Sequence, residues 1–213
     1  MTEVLAAIAL GVPSTVVVTA LAFAMGAVLG VPLALARRSG PAPLRWLAQA
    51  LIDVLRGIPP VVWLFFIYFG LGNDVVRIEP LVAGTVGLGL IASAYLAEVY
   101  RGGLLAVHAG QQEAAEALGL SPGTTLARVV GPQAVRVALP GAATYLIGLL
   151  KDSSIVSTIG VTEMVFRANA VSRSTGDGLM PFLVAAALYI VLSAPLAWAS
   201  RSLDARLRRR VAR

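Results

Sequence analysis

The 213-residue chain contains no cysteine and a single histidine, His108. Without thiols it can hold no disulfide, thiolate metal site or cysteine nucleophile. A lone imidazole argues against a zinc cluster or a Ser-His-Asp triad, and no metal ligand set is assigned. Charge is scarce too: 13% of residues are charged, against roughly 25% in ordinary soluble domains. Such a chain cannot cover a water-exposed surface with polar groups. What is present is apolar: 58% hydrophobic residues and a mean hydropathy of +0.83. A soluble domain and a disordered chain are both excluded, and the class is an integral membrane protein. No Walker A sequence occurs, so the chain does not hydrolyse ATP by that machinery.

Five uncharged runs stand out, over 12–36, 58–71, 81–97, 137–150 and 179–200. A membrane helix needs roughly 20 apolar residues, about 17–25. The first, third and fifth runs qualify directly. The second and fourth are short and must borrow polar neighbours, Asp53 and Arg56 before one, Arg136 and Lys151 beside the other. The reading is five spans, about 12–36, 47–71, 81–99, 134–151 and 179–200, in one domain over 1–213. The amino terminus does not resemble a cleaved signal peptide, since it carries Glu3 and no basic segment.

Basic residues orient the spans. Arg37, Arg38, Arg45 and Arg56 follow the first span; Arg101, Arg128 and Arg136 follow the third; Arg201, Arg206, Arg208, Arg209, Arg210 and Arg213 form the tail. Those 4, 3 and 6 make 13 on one side, against Arg77, Arg167 and Arg173, which make 3, on the other. The split places the amino terminus outside and the carboxyl terminus in the cytoplasm. The basic tail is then an anchor to membrane lipid. No aromatic residue interleaves with its arginines, as a single-strand binder would want, so no nucleic acid is expected as a partner.

The segment between spans three and four, about 100–133, carries most of the information. Residues 111–118 are rich in helix formers. Gly119 suits the left-handed position that ends a helix. Ser121 and Pro122 read as an N-cap followed by proline at the first helical position, and Pro132 is expected to end or bend the second helix. The result is helix, tight turn, helix. Ala114 and Ala115 keep one face small enough for another protein's groove, and Glu113 and Glu116 offer charges to a partner's basic residues. A connector lying on lipid is the alternative, but two central acids fit an anionic leaflet poorly.

This segment resembles the EAA loop of the permeases of ABC importers, through Ala109-Gly110-Gln111-Gln112-Glu113-Ala114-Ala115 and Gly119. The resemblance is to the polar amino-acid uptake subfamily. Val54-Leu55-Arg56-Gly57-Ile58-Pro59 is similar to its Leu-Phe-Arg-Gly-Thr-Pro. Ala94-Tyr95-Leu96-Ala97-Glu98-Val99-Tyr100-Arg101-Gly102-Gly103, Pro132-Gln133-Ala134, Leu139-Pro140 and Leu150-Lys151-Asp152-Ser153-Ser154 follow in order. Together they cover about 15–203. The chain departs from the pattern at Gly131, where leucine is usual, at Ser153 for threonine, and at Ile58 and Pro60 for threonine and leucine. Glycine at 131 loosens a helix by roughly 1 kcal/mol relative to alanine.

The resemblance implies the five-span, all-α fold of type I importers and a permease paired with a second permease subunit, identical or related. It implies a coupling helix, here carried by Gln111, Glu113, Ala114, Ala115, Leu118 and Gly119, that seats on a cytoplasmic ABC ATPase. ATP and magnesium then belong to that partner, and this chain needs no cofactor of its own. An extracytoplasmic solute-binding protein would deliver a polar amino acid or related small solute. The chain would sit in the bacterial cytoplasmic membrane and would not be an enzyme.

Candidate pathway or gate residues are Tyr95, Glu98, Lys151, Asp152, Ser153 and Ser154. Ser153 or Ser154 is expected to N-cap a helix over 155–168, so that a helix end and a helix start meet and offer N–H groups to a carboxylate. The plainer reading is that Lys151 and Asp152 pair with each other or with Glu163 and hold a bend. Asp53 with Arg56, and Glu98 with Arg101, have the spacing of ion pairs along one helix face. His108 reads as a loop or interface residue, and Tyr68 as packing. Gly26 and Gly30 form a GxxxG pair suited to close helix contact. Gly87-x-Gly89 imitates a dinucleotide fingerprint but lies within an apolar span, so it is rejected. Two other function classes compete: a secondary transporter, which would show inverted repeats, and an intramembrane enzyme, which would show convergent acids and bases. Neither feature is evident in the sequence.

Overall fold

The structure is a computed structural model that describes residues 1–71 and 77–211. Arg213, counted in the basic tail, lies outside the described residues. All regular structure in the described chain is helical. This follows from the solvent: a chain in hydrocarbon must satisfy its backbone N–H and C=O groups within each segment.

Helix α1 (Thr2–Ala9) leads into α2 (Val12–Ser39), and the two make a 38-residue apolar stretch. Helices α3 (Ala42–Gly57) and α4 (Pro60–Phe65, continued by a π-turn over Phe66–Leu71) follow. The stretch expected as one span over 47–71 is therefore not one helix. It breaks at Ile58-Pro59 with a bend of 100°. Pro59 and Pro60 supply no N–H to a continuing helix, and each disfavours the α conformation in the residue before it.

Helix α5 (Pro80–Leu105) is the central column, and α6 (Ala109–Ala117) and the single turn α7 (Pro122–Thr125) form the hairpin after it. A π-turn over Leu126–Val130 joins α7 to α8 (Gly131–Asp152). Pro132 does not end the helix. It sits in the first turn of α8, where its missing N–H costs little, and the register change is absorbed by the wider π-turn before it. A 3₁₀ segment over Ser153–Ile159, then α9 (Met164–Thr175) and α10 (Met180–Val211), complete the chain. Among the described residues, four helices are long and apolar enough to cross a membrane, or five if the bent α3–α4 pair counts as one span.

Hydrophobic burial gives helices in lipid little reason to associate, so close packing of small residues does that work. The α2–α5 contact shows it. A Cβ added to Gly26 would lie 2.5 Å from the Ala92 Cβ, and one on Gly30 would lie 3.0 Å from the Ser93 carbonyl oxygen. The GxxxG pair thus holds two helices of the same chain together. Around that seam Val18, Ala22, Leu64, Leu88, Leu149 and Val156 form the main core.

A second junction closes the other end. The buried Glu163 side chain caps α9, accepting from the Phe166 N–H at 2.7 Å and the Val165 N–H at 2.9 Å. It also accepts the Tyr189 hydroxyl at 2.8 Å, which ties α9 to α10. The buried Thr15 Oγ1 accepts from the Met164 N–H at 3.4 Å. Ile8 packs there with Met164, Ala168 and Ala185, which fastens α1 into the bundle.

Candidate functional site

The hairpin built on α6 is made by caps. His108, expected as a loop or interface residue, is the N-cap of α6: its Nδ1 accepts from the Gly110 N–H at 3.1 Å. Gly119 takes φ 72°, and the Gly119 and Leu120 N–H groups donate back to the Glu116 and Ala115 carbonyls at 2.9 and 3.0 Å. That is a Schellman ending, which needs a left-handed residue at this position. Ser121 caps α7 by accepting from the Thr124 N–H at 3.3 Å.

The hairpin has an outer and an inner side. Gln111, Glu113, Ala114, Glu116 and Gly119 are exposed, and Leu118 is 79% exposed. Of the two alanines expected on one small face, Ala114 faces out and Ala115 is buried. Among the described residues Glu113 has no side-chain partner. The inner side is tied to two long helices. Gln133 Nε2 at the start of α8 donates to Gln111 Oε1 at 3.1 Å. Arg38 Nη2 at the end of α2 donates to Gln112 Oε1 at 3.4 Å. Glu116 accepts from Gln112 at 3.3 Å.

The second candidate constellation lies deeper, between α5 and α8. The Tyr95 ring stacks on Tyr145 with centroids 5.2 Å apart and planes 20° apart. The Arg56 guanidinium lies over the Tyr95 ring, 4.8 Å from its centroid. A guanidinium on an aromatic face is attracted by the ring quadrupole. Asp152 is seven residues beyond Tyr145 on α8, two turns along the same face. Arg56, Tyr95, Tyr145 and Asp152 thus form a polar strip with a cation at one end and a carboxylate at the other. Tyr145 was not singled out in the sequence, where no motif marks it.

Several pairings differ from expectation. Asp53 does not pair with Arg56. It accepts from Gln49, one turn back, at 2.6 and 2.7 Å, while the Arg56 guanidinium lies against the Tyr95 ring. Glu98 does pair with Arg101, at 2.8 and 3.1 Å, and is also bound by Arg37 of α2. Two arginines on one carboxylate make Glu98 a clamp between α2 and α5. Lys151 and Asp152 are exposed and do not pair with Glu163, whose carboxylate is taken by α9 and Tyr189.

The expected meeting of helix termini is also revised. Neither Ser153 nor Ser154 caps a helix over 155–168. Ser153 is fully buried and its Oγ donates back to the Leu150 carbonyl at 2.7 Å. The chain runs on as a 3₁₀ segment to Gly160 and restarts as α9 at Met164. The N–H groups of that start are occupied by Glu163, so no free cradle for a carboxylate exists there. No group of His, Asp and Glu able to hold a metal occurs among the described residues.

These helices, with an exposed hairpin between two of the apolar columns, define a multi-pass membrane protein. The family described as binding-protein-dependent transport system inner membrane component matches residues 26–209. The chain is 34% identical to the probable glutamine ABC transporter permease protein GlnM of Bacillus subtilis, over 91% of this chain and 89% of that protein. It is 33% identical to the L-cystine transport system permease protein TcyB of the same organism, over 95% and 87%. A chain of a crystal structure described as an amino acid ABC transporter with histidines superposes with a TM-score of 0.90. The identity there is 32%, and the alignment covers 97% of this chain and 96% of that one. The chain belongs to the family of binding-protein-dependent inner membrane transport components. It is an ABC importer permease, a transport subunit and not an enzyme. Membership implies an ATPase and a substrate-binding protein as partners.

Proposed function

We propose that this chain carries a polar amino acid or related small polar solute across the bacterial cytoplasmic membrane, with its amino terminus outside and its carboxyl terminus inside. It works as one of two permease subunits. Helix α6 is its coupling helix and the α3–α4 pair its second span. ATP and magnesium are bound by the ATPase, and the solute arrives on an extracytoplasmic binding protein. The glutamine and cystine named for the relatives support the solute class and leave the individual solute open.

One observation carries the reading. The outer side of α6 presents unpartnered Glu113 and exposed Leu118, while its inner side is hydrogen-bonded through Gln111 to Gln133 on α8. Helix α8 also carries Tyr145 and Asp152. A push on α6 therefore reaches the polar strip along one helix. The clamp at Glu98 keeps α2 and α5 together as the frame against which α8 moves. Tyr95 and Tyr145 form the gate, and Asp152 is placed to meet an ammonium group. Lys151 and Ser154 lie beside it at the outer end of the pathway, and Ser153 holds the bend.

The test is Glu113→Lys in the assembled transporter. Membrane insertion and stability should be unchanged, within about 0.5 kcal/mol for an exposed site. Solute-stimulated ATP hydrolysis and uptake should fall to background. Normal uptake by this variant would remove α6 from the coupling role. Orientation is tested with Leu118→Cys, since the chain has no other thiol. An impermeant maleimide should label it in inverted vesicles and not in intact cells.

A further inference from the structure

Between α7 and α8 the chain changes its winding once, and the residues around that place are those a moving joint needs. Leu126–Val130 form a five-residue π-turn between the single turn of α7 and the 22-residue α8. Such turns are rare and occur frequently at functional sites. Two neighbours dictate this one. A continuous α-helix would need an N–H at residue 132 for the Arg128 carbonyl. Pro132 has none, and its ring would crowd that carbonyl. Gly131 permits the wider turn. Its N–H donates to the Leu126 carbonyl, and a Cβ at 131 would lie 2.5 Å from that oxygen. A side chain there would force the turn open.

The turn is seated on the frame. Val130 packs with Leu104 and Ala134, and Leu35 of α2 lies against them. Just beyond the turn α8 meets α5 closely: a Cβ on Gly103 would lie 2.5 Å from the Ala134 carbonyl oxygen. That contact is a fulcrum beside the turn. Gln133 connects the turn to the coupling helix. An amide nitrogen carries two hydrogens. Gln133 Nε2 donates to the Val129 carbonyl at 2.9 Å, within the turn, and to Gln111 Oε1 at 3.1 Å, on α6. The two arms of the hairpin therefore act on opposite sides of the turn. Helix α7 runs into it, and α6 holds α8 beyond it.

We propose that the π-turn over Leu126–Val130 is a hinge at which α8 tilts about the Gly103–Ala134 contact when the ATPase displaces α6. Gly131 is the pivot. Gln133 is a positioning residue that passes the displacement from Gln111 to α8 and latches the turn through Val129. The hinge rests on the reading of α6 as the coupling helix.

The experiment is amide hydrogen exchange of the assembled transporter in nanodiscs, with and without a non-hydrolysable ATP analogue. Nucleotide should change exchange over 109–118, which reports α6 alone. It should quicken exchange over 126–131 by roughly fivefold, the worth of about one hydrogen bond. It should also alter exchange over 153–159, at the far end of α8, and leave 136–150 as it was. A response over 109–118 with none over 126–131 would overturn the hinge and leave the coupling helix standing. No response over 109–118 would overturn both.

Two variants separate a hinge from a merely structural turn. Pro132→Ala supplies the missing N–H and favours a continuous helix, so the protein should fold and assemble. Gln133→Ala cuts the link at an exposed bond. Each should keep the nucleotide response over 109–118 and lose it over 153–159. Gly131→Ala should quicken exchange over 126–131 without nucleotide, and Gly102→Ala, at a glycine with open space around it, should not. A full response over 153–159 in Pro132→Ala or Gln133→Ala would overturn the proposal, as would unchanged exchange in Gly131→Ala.

Discussion

The α2–α5 seam and the coupling hairpin are held together in opposite ways. Beside two side-chain ties, Arg37 to Glu98 and the Tyr100 hydroxyl to the Ala27 carbonyl, the seam depends on shape: Gly26 and Gly30 bring backbones so close that a single added carbon would strike Ala92 or Ser93. The hairpin has almost no buried apolar surface, only Ala115 on α6, and depends on caps and on two side-chain ties of 3.1 and 3.4 Å. Close packing has one arrangement and fails steeply when it is disturbed. Exposed hydrogen bonds exchange with water at small cost and can be remade. The difference suits the proposed roles, a frame that stays and a lever that moves.

Breaking the frame should give the largest effect. Gly26→Leu forces α2 away from Ala92, and a loss of about 3 kcal/mol is expected from overpacking. The check is the yield and unfolding temperature of monodisperse protein in detergent. A variant as stable as the wild type would show that the seam has slack.

The junction at Glu163 is the next strongest. It is a cap, like those of the hairpin, but buried like the seam. Glu163→Ala removes two N–H partners at the start of α9 and strands the Tyr189 hydroxyl. The expected cost is about 2 kcal/mol, measured by chemical unfolding. A cost near that of an exposed cap would move this junction to the hairpin's side of the comparison.

Cutting one tie of the lever should cost little stability. Gln133→Ala frees Gln111 from α8, and about 0.5 kcal/mol is expected for so exposed a bond. Hydrogen exchange over residues 109–118 should speed up while exchange in α5 is unchanged. Coupling efficiency, read as solute moved per ATP hydrolysed, should fall more than stability does. Equal acceleration in α5 would mean that lever and frame open together.

The smallest effect concerns the start of α10. The exposed Asp177 carboxylate accepts from the Leu179 and Met180 N–H groups at 2.9 and 3.0 Å. Those bonds, that of Met180 first, hold its pKa below the ordinary carboxylate value. A depressed pKa contributes stability above the unfolded value, and that contribution is lost as the pH falls through the folded one. Exchange at the start of α10 should therefore quicken only at pH values below the ordinary carboxylate pKa. Asp177→Asn should remove that pH dependence.

Much of the hairpin was legible because caps are local. Ser121 before Pro122, and Gly119 after a run of helix formers, each announce a backbone conformation within a few residues of themselves. His108 was missed because a histidine cap has no comparably strong sequence signal. At the start of α9 the expected serine cap proved wrong and Glu163 took the place. Ser153 had a competing local acceptor in the Leu150 carbonyl, and the helix starts at Met164, nine residues on, after the left-handed Gly160. The expected Asp53–Arg56 pair had the right spacing. It failed because each group has a competing partner, Gln49 for Asp53 and the Tyr95 ring for Arg56.

Hydropathy alone determined that this chain lives in a membrane and roughly where it crosses, because desolvation of each segment depends only on that segment's own residues. Proline and glycine alone determined the turn of the hairpin, because they limit the dihedral angles of their own positions. Which side chains meet was decided only by the tertiary structure. Arg37 reaches Glu98 across 61 residues, Tyr95 finds Tyr145, and Arg38 reaches Gln112 across 74 residues. Those meetings depend on which helices are neighbours and how each is rotated, and helix rotation follows from packing that no local stretch of sequence contains.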